Sequence, residues 1–147
     1  NNVVHSLMMG AAKVGVHIAV ATPEGYESDE KVLQLSRENA AATGAKIEVM
    51  HDPREAAKNA DVLYTDVWAS MGQEAETEER LRAFRDYQIN DDLAALADKD
   101  YLFMHCLPAH RGEEVSEDII DGDHSVVFDQ AENRLHAQKA IMMALMS

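Results

Sequence analysis

The chain has 147 residues, a length that suits one ordinary domain with a substantial core and is short for two. Its 13 Lys and Arg against 27 Asp and Glu give a formal net charge of -14, which argues against nucleic acid and anionic membranes as partners because no Lys/Arg run offsets it locally. Cys106 is the single cysteine, so an internal disulfide is excluded and a reducing, cytoplasmic setting is expected; the apolar stretches are strand-length, so neither signal peptide nor membrane span is expected.

From Val3 to Val14, the apolar residues Val4, Leu7, Met8, Ala11 and Ala12 recur at three- and four-residue spacings. This predicts a helix with one apolar face, broken at Gly15. Val16 to Ala21 predicts a strand that ends at the turn residues Thr22-Pro23-Glu24-Gly25. A helix from about Asp29 to Thr43 closes at Gly44, Lys46 to Met50 follows as a strand, and Asp52 caps a short helix from Pro53 to Asn59. Asp61 to Val67 and Tyr101 to Leu107 read as buried strands, and Ser125 to Phe128 as a shorter one. The charge-dense stretch from Gln73 to Arg85 mixes both signs and reads as a solvated loop and helix. A last helix, Ala131 to Met146, ends in Ile141, Met142, Leu145 and Met146, an apolar group that needs a partner.

Short apolar strands alternating with amphipathic helices imply an α/β fold. The expected form is a doubly wound, Rossmann-like parallel sheet of about five strands with helices on both faces, residues 1–147 making a single domain. In such sheets ligands bind beyond the carboxyl ends of the strands. At one of these ends Asp66 precedes Ser70-Met71-Gly72, where a carboxylate and a hydroxyl suit an ammonium group and loop N–H groups suit a carboxylate; an Asx turn at Asp66 with a helix start at Ser70 is the alternative. His105-Cys106-Leu107-Pro108 ends another strand. Adjacent strand residues point to opposite faces, which argues against a Cys-His nucleophile pair, and one cysteine with scattered histidines lacks the spacing of a zinc site. A buried inert thiol is the plain reading of Cys106. Asp129-Gln130-Ala131-Glu132-Asn133-Arg134 places Arg134 in the first turn of the predicted final helix, aimed at a ligand oxygen or paired with Glu132 or Asp129. The Asn1-Asn2 amides are donors suited to a carboxylate.

Taken together, Asn1-Asn2-Val3 with His5-Ser6, Asp66 with Ser70-Met71-Gly72, His105-Cys106-Leu107-Pro108 with Gly112-Glu113-Glu114-Val115, and Glu132-Asn133-Arg134 resemble the ornithine carbamoyltransferases over the whole chain. The resemblance implies the amino-acid-binding half of an enzyme that transfers a carbamoyl group from carbamoyl phosphate to L-ornithine, giving citrulline and phosphate in arginine metabolism. It implies that Asn2 and the Met71 backbone receive the ornithine α-carboxylate, and that Asp66 and Ser70 hold its α-ammonium. Cys106 and Leu107 would lie near the side-chain amine and the carbamoyl group, with His105 and Arg134 facing the carbonyl oxygen. No cofactor or metal is implied. The chain begins inside the family's Asp-Gly-Asn-Asn region, so the carbamoyl-phosphate domain is expected to lie outside it, the final helix to meet that domain, the isolated piece to be inactive, and the complete enzyme to be a homotrimer or larger. Two other readings stand beside this one: transfer to another amine, such as putrescine or an acetylated ornithine, and a noncatalytic amino-acid-binding module. A dinucleotide site is disfavoured because no G-x-G-x-x-G follows the first strand.

Overall fold

The Asn1 side-chain oxygen accepts hydrogen bonds from the backbone N–H groups of Val3 (2.7 Å) and Val4 (3.3 Å), which satisfies two donors left open by the first helical turn. In a computed structural model, which describes residues 1–69 and 77–146, helix α1 (Asn2–Val14) starts there. It stops at Gly15, whose φ of 80° is the left-handed conformation that glycine adopts without a Cβ penalty.

The chain divides into two compact units, Asn1–Lys58 and Asn59–Ser147. In the first, α1 is followed by β1 (Ile18–Ala21), α2 (Glu30–Ala40), β2 (Ile47–Met50) and α3 (Pro53–Ala57). Asp29 and Asp52 cap α2 and α3 through their carboxylates, the cap at Asp52 being the one the sequence leads one to expect. β1 and β2 pair in parallel, with Ile18 opposite Ile47 and Ala21 opposite Met50. Met8, Ala12, Val20, Ala40 and Ile47 form the buried core of this unit, where each large side chain contributes about 1.5–3 kcal/mol by leaving water. The Thr43 hydroxyl donates to the Ala12 carbonyl at 2.7 Å and ties the loop after α2 to the last turn of α1.

The second unit holds β3 (Val62–Thr65), α4 (Thr77–Phe84), a 3-10 turn (Arg85–Tyr87), α5 (Asp91–Ala94), β4 (Leu102–His105), α6 (Glu117–Ile120) and α7 (Val127–Met146). β3 and β4 pair in parallel, Leu63 opposite Phe103 and Thr65 opposite His105. The chain is therefore of the α/β class with parallel strands. The described residues form four strands in two separate pairs, however, rather than a single sheet of about five.

The fifth predicted strand, Ser125 to Phe128, is a correction. Ser125 makes only an isolated parallel bridge to Phe103, and the Val126 N–H donates to the Phe103 carbonyl at 3.0 Å. Helix begins at the next residue: Gln130 N–H returns to the Val126 carbonyl at 2.8 Å, and Val127 is buried. The β-favouring Val126-Val127-Phe128 run is thus overridden by a helical turn anchored on Phe103 of β4. Beyond Val127 the helix is largely exposed, including Leu135, Ile141, Met142, Leu145 and Met146. Among the described residues no helix is long and apolar enough to cross a membrane.

Candidate functional site at the ends of β3 and β4

The register of β3 against β4 decides which side chains meet. Leu63, Thr65, Phe103 and His105 share one face of the pair, and Tyr64 and Met104 share the other. Two residues beyond Tyr64 and Met104, the alternation brings Asp66 and Cys106 together. The Cys106 thiol donates to Asp66 Oδ1 at 3.0 Å, and the same oxygen accepts from the Val67 backbone N–H at 2.8 Å. Tyr64 lies on this same face, on β3 two residues before Asp66. Partial burial of the sulfur, then the hydrogen bond to Asp66 and its charge, push the Cys106 thiol up to about 11. Cys106 is therefore a neutral S–H donor near pH 7 rather than a thiolate nucleophile. Burial first, then the adjacent sulfur, push the Tyr64 phenol up to about 12.

On the opposite face His105 is only 1% exposed. Its Nδ1 accepts from the Leu107 backbone N–H at 2.8 Å, so the ring proton sits on Nε2, which lies 3.1 Å from Glu114 Oε1. The His110 backbone N–H donates to the same Glu114 oxygen at 2.7 Å. Burial raises the Glu114 carboxyl, but the hydrogen bonds from His105 and from the His110 backbone outweigh it and leave the group below the ordinary carboxylate range. Gln88 donates to the Gly112 and Glu113 carbonyls at 2.9 and 2.7 Å. The loop of residues 106–114, which contains a cis Leu107–Pro108 bond and Leu107 at φ 55°, is thus held by the buried His105 and Glu114 and by the partly buried Gln88.

Of the residues singled out from sequence, Asp66, His105, Cys106 and Leu107 come together here. Ser70 and Met71 lie outside the described residues. Asn2 is an exposed first-turn residue of α1 in the other unit, and Asn1 beside it is engaged as the cap. Two expectations are corrected. His105 does not face outward toward a ligand oxygen, because both ring nitrogens are engaged and its side chain is wholly buried. Arg134 is not in a first helical turn: α7 begins at Val127, which leaves Arg134 exposed and, among the described residues, without an ion-pair or hydrogen-bond partner. Glu132 pairs instead with His136 at 3.2 Å. Sequence reasoning missed Tyr64, which reads as an ordinary strand residue, and it missed the contacts of two residues inside motifs it did single out: Glu114 lies nine positions from His105 with no local spacing to betray the pairing, and Gln130 reaches Tyr64 only because α7 starts early.

The family model "Aspartate/ornithine carbamoyltransferase, Asp/Orn binding domain" matches residues 1–145. The chain belongs to this carbamoyltransferase family. The anabolic ornithine carbamoyltransferase of Pyrococcus furiosus is 62% identical over 146 residues, which cover 99% of this chain and 46% of that protein. The solved ornithine carbamoyltransferase structure from Pyrococcus furiosus superposes with a TM-score of 0.89 at 63% identity, covering 94% of this chain and 44% of that one. The anabolic ornithine carbamoyltransferase structure from Campylobacter jejuni gives 0.92 at 38% identity, covering 97% of this chain and 47% of that one. The Asp/Orn-binding domain thus spans about half the length of the curated relatives it matches.

Proposed function

We propose that this chain is the L-ornithine-binding half of a cytoplasmic ornithine carbamoyltransferase, which carries a carbamoyl group from carbamoyl phosphate to the ornithine side-chain amine in arginine biosynthesis. The observation that carries the reading is the 62% identity over 146 residues with the anabolic ornithine carbamoyltransferase of Pyrococcus furiosus. The same reading takes residues 1–147 as one domain with a doubly wound sheet of about five strands, supported by the likeness to solved structures over nearly all of the chain. Carbamoyl phosphate is assigned to the rest of the complete protein, which forms a homotrimer or larger assembly.

In the reaction the amine nitrogen attacks the carbamoyl carbon, the bond from that carbon to the phosphate oxygen breaks, and a proton leaves the nitrogen. An aliphatic amine with a pKa of roughly 10.4 is mostly protonated at pH 7, so presenting its lone pair costs on the order of 4–5 kcal/mol. Cys106 and the Leu107 backbone are placed at the amine and the carbamoyl group. A neutral thiol there does not hold the ammonium form as a thiolate would. Asp66 with Ser70 takes the α-ammonium, and Asn2 with the Met71 backbone takes the α-carboxylate. Arg134 stabilises negative charge that develops on the carbonyl oxygen. His105 acts at one remove, by fixing the Leu107 N–H.

Calorimetric titration of the folded chain with L-ornithine, putrescine and N-acetylornithine tests the assignment. Saturable binding of ornithine alone, abolished by Asp66→Ala, is the expected result. Tighter binding of putrescine or N-acetylornithine would transfer the reading to that amine, and ornithine binding indifferent to Asp66 would remove Asp66 from the site.

A further inference from the structure

Beyond Pro108 the loop turns back on itself. The Glu113 N–H donates to the His110 carbonyl at 3.0 Å, Gly112 takes a φ of 87°, and its N–H reaches the Val115 carbonyl at 2.8 Å. His110, Glu113 and Glu114 are thereby gathered: one potential ligand atom from each lies within 4.8 Å of the other two, the one such triple among the described residues. His110 Nδ1 stands 3.6 Å from Glu113 Oε2 and 4.0 Å from Glu114 Oε2. The Glu114 carboxylate decides what this cluster can hold. Its Oε1 is used twice, by His105 Nε2 and by the His110 backbone N–H. Its Oε2 is buried, belongs to a side chain with no exposure, and has no hydrogen-bond partner among the described residues. A buried carboxylate oxygen is costly unless something pairs with it. The His110 ring nitrogen set toward it is too far for a hydrogen bond. The guanidinium of Arg111 does not serve it either, being bonded to both Asp121 oxygens at 2.7 Å.

We propose that His110 Nδ1, the Glu113 carboxylate and the unpartnered Oε2 of Glu114 form a site for one divalent transition-metal cation of the zinc type. One imidazole and two carboxylates are ligands that zinc takes, and three protein ligands leave its fourth position to water. Ligand atoms around a tetrahedral zinc lie roughly 3.3–3.6 Å apart, which the spacing of His110 Nδ1 from the two carboxylates approaches. Glu114 is fixed, while the half-exposed His110 and Glu113 side chains have room to swing inward and close the rest. The bond from the His110 N–H to Glu114 Oε1 holds one ligand residue against another, the kind of support that orients metal ligands. The formal net charge of -14 favours any cation at this surface. A bound ion ties the tip of the loop to the buried Glu114–His105 pair and so stiffens the segment that carries Leu107. The site goes beyond the proposed function and needs no ornithine.

Calorimetric titration of the chain with zinc chloride in metal-free buffer tests the site. The Cys106→Ser chain serves as a second parent, because the thiol is the other ligand that zinc favours. One equivalent of Zn²⁺ is expected to bind both parents, with affinity reduced about tenfold or more by His110→Ala and by Glu113→Gln. Both changes fall on half-exposed side chains and leave the His110 N–H on Glu114, so the fold is kept. His136→Ala, which removes the exposed pair with Glu132 on α7, is expected to leave the titration unchanged. Magnesium chloride in place of the zinc salt is expected to bind about a hundredfold more weakly, since Mg²⁺ prefers an all-oxygen octahedral shell. Absence of saturable Zn²⁺ binding, affinity unmoved by His110→Ala or by Glu113→Gln, loss of binding in Cys106→Ser, or equal affinity for Mg²⁺ would each overturn the proposal. Should His110→Ala fail to fold, Glu113→Gln decides it. Absence of ornithine binding would count against the proposed function while leaving these metal titrations intact.

Discussion

His105 Nε2 lies 3.1 Å from Glu114 Oε1 with neither side chain exposed, and the same carboxylate oxygen takes the His110 backbone N–H. Replacing the charged acceptor weakens both bonds while the histidine stays buried. Glu114→Gln is therefore expected to lower stability by about 2 kcal/mol, seen as a fall in the urea midpoint at unchanged slope. The folded-state value of Glu114 lies below its ordinary 4.5. Its contribution is thus complete above that value and is lost as the pH falls from 4.5 through the lowered folded value. The stability gap between parent and Glu114→Gln should narrow in that acid window, and a gap constant from neutral pH down to about 3 would contradict the assignment.

The Cys106–Asp66 contact makes a prediction of opposite sign. After burial, the hydrogen bond to Asp66 and its negative charge are what hold the thiol up near 11. Asp66→Asn removes the charge, so alkylation of Cys106 at pH 8 is expected to accelerate by about tenfold. Unchanged or slower alkylation would mean that burial alone sets the thiol.

These relationships divide cleanly by what a sequence can carry. The cap at Asp52, the glycine that ends α1, and the two strong strands depend on neighbours within a few residues, and all are legible from spacing. The opposition of His105 and Cys106 is legible too, since adjacent strand residues face opposite ways. The Glu114 contact is not, because a loop brings it beneath His105 and nothing local marks it. The run Ser125 to Phe128 misleads for a related reason: its β-branched residues favour a strand in isolation, but Val126 bonds Phe103 of β4 once and the chain then turns into helix. That early start also moves Arg134 out of the first turn. Ser70 and Met71 fall outside the described residues, so their expected part stays with the resemblance.

In the first unit, Met8 is fully buried at the centre of a small core with Ala12, Val20, Ala40 and Ile47. Met8→Ala is expected to cost about 2–5 kcal/mol in chemical unfolding. A cost below about 1 kcal/mol would mean that the surrounding side chains collapse into the space and that the core is loosely specified.

Helix α7 behaves differently along its length. Ile141 and Leu145 are 58% and 80% exposed. Introducing charge there with Ile141→Lys and Leu145→Lys removes no buried contact, so stability should change by less than about 0.5 kcal/mol per site. The apolar stripe is, however, a surface that favours association. Sedimentation of the parent chain should show more self-association than the double variant. A loss of more than about 1 kcal/mol in stability would instead place this end of the helix in the fold's own packing.

Arg134 separates stability from chemistry. It is exposed on α7 and, among the described residues, has no ion-pair or hydrogen-bond partner, so Arg134→Ala is expected to leave the unfolding midpoint of this chain within about 0.5 kcal/mol of the parent. Its proposed role is to meet charge that develops on the carbamoyl oxygen, an interaction stronger in the transition state than in the ground state. In the full-length enzyme, Arg134→Ala should therefore lower kcat by about 10²-fold or more with little change in the KM for ornithine. A rise in KM at constant kcat would assign the side chain to binding, and loss of stability in the isolated chain would assign it to the fold. Because the two measurements are made on different forms of the protein, neither result can stand in for the other.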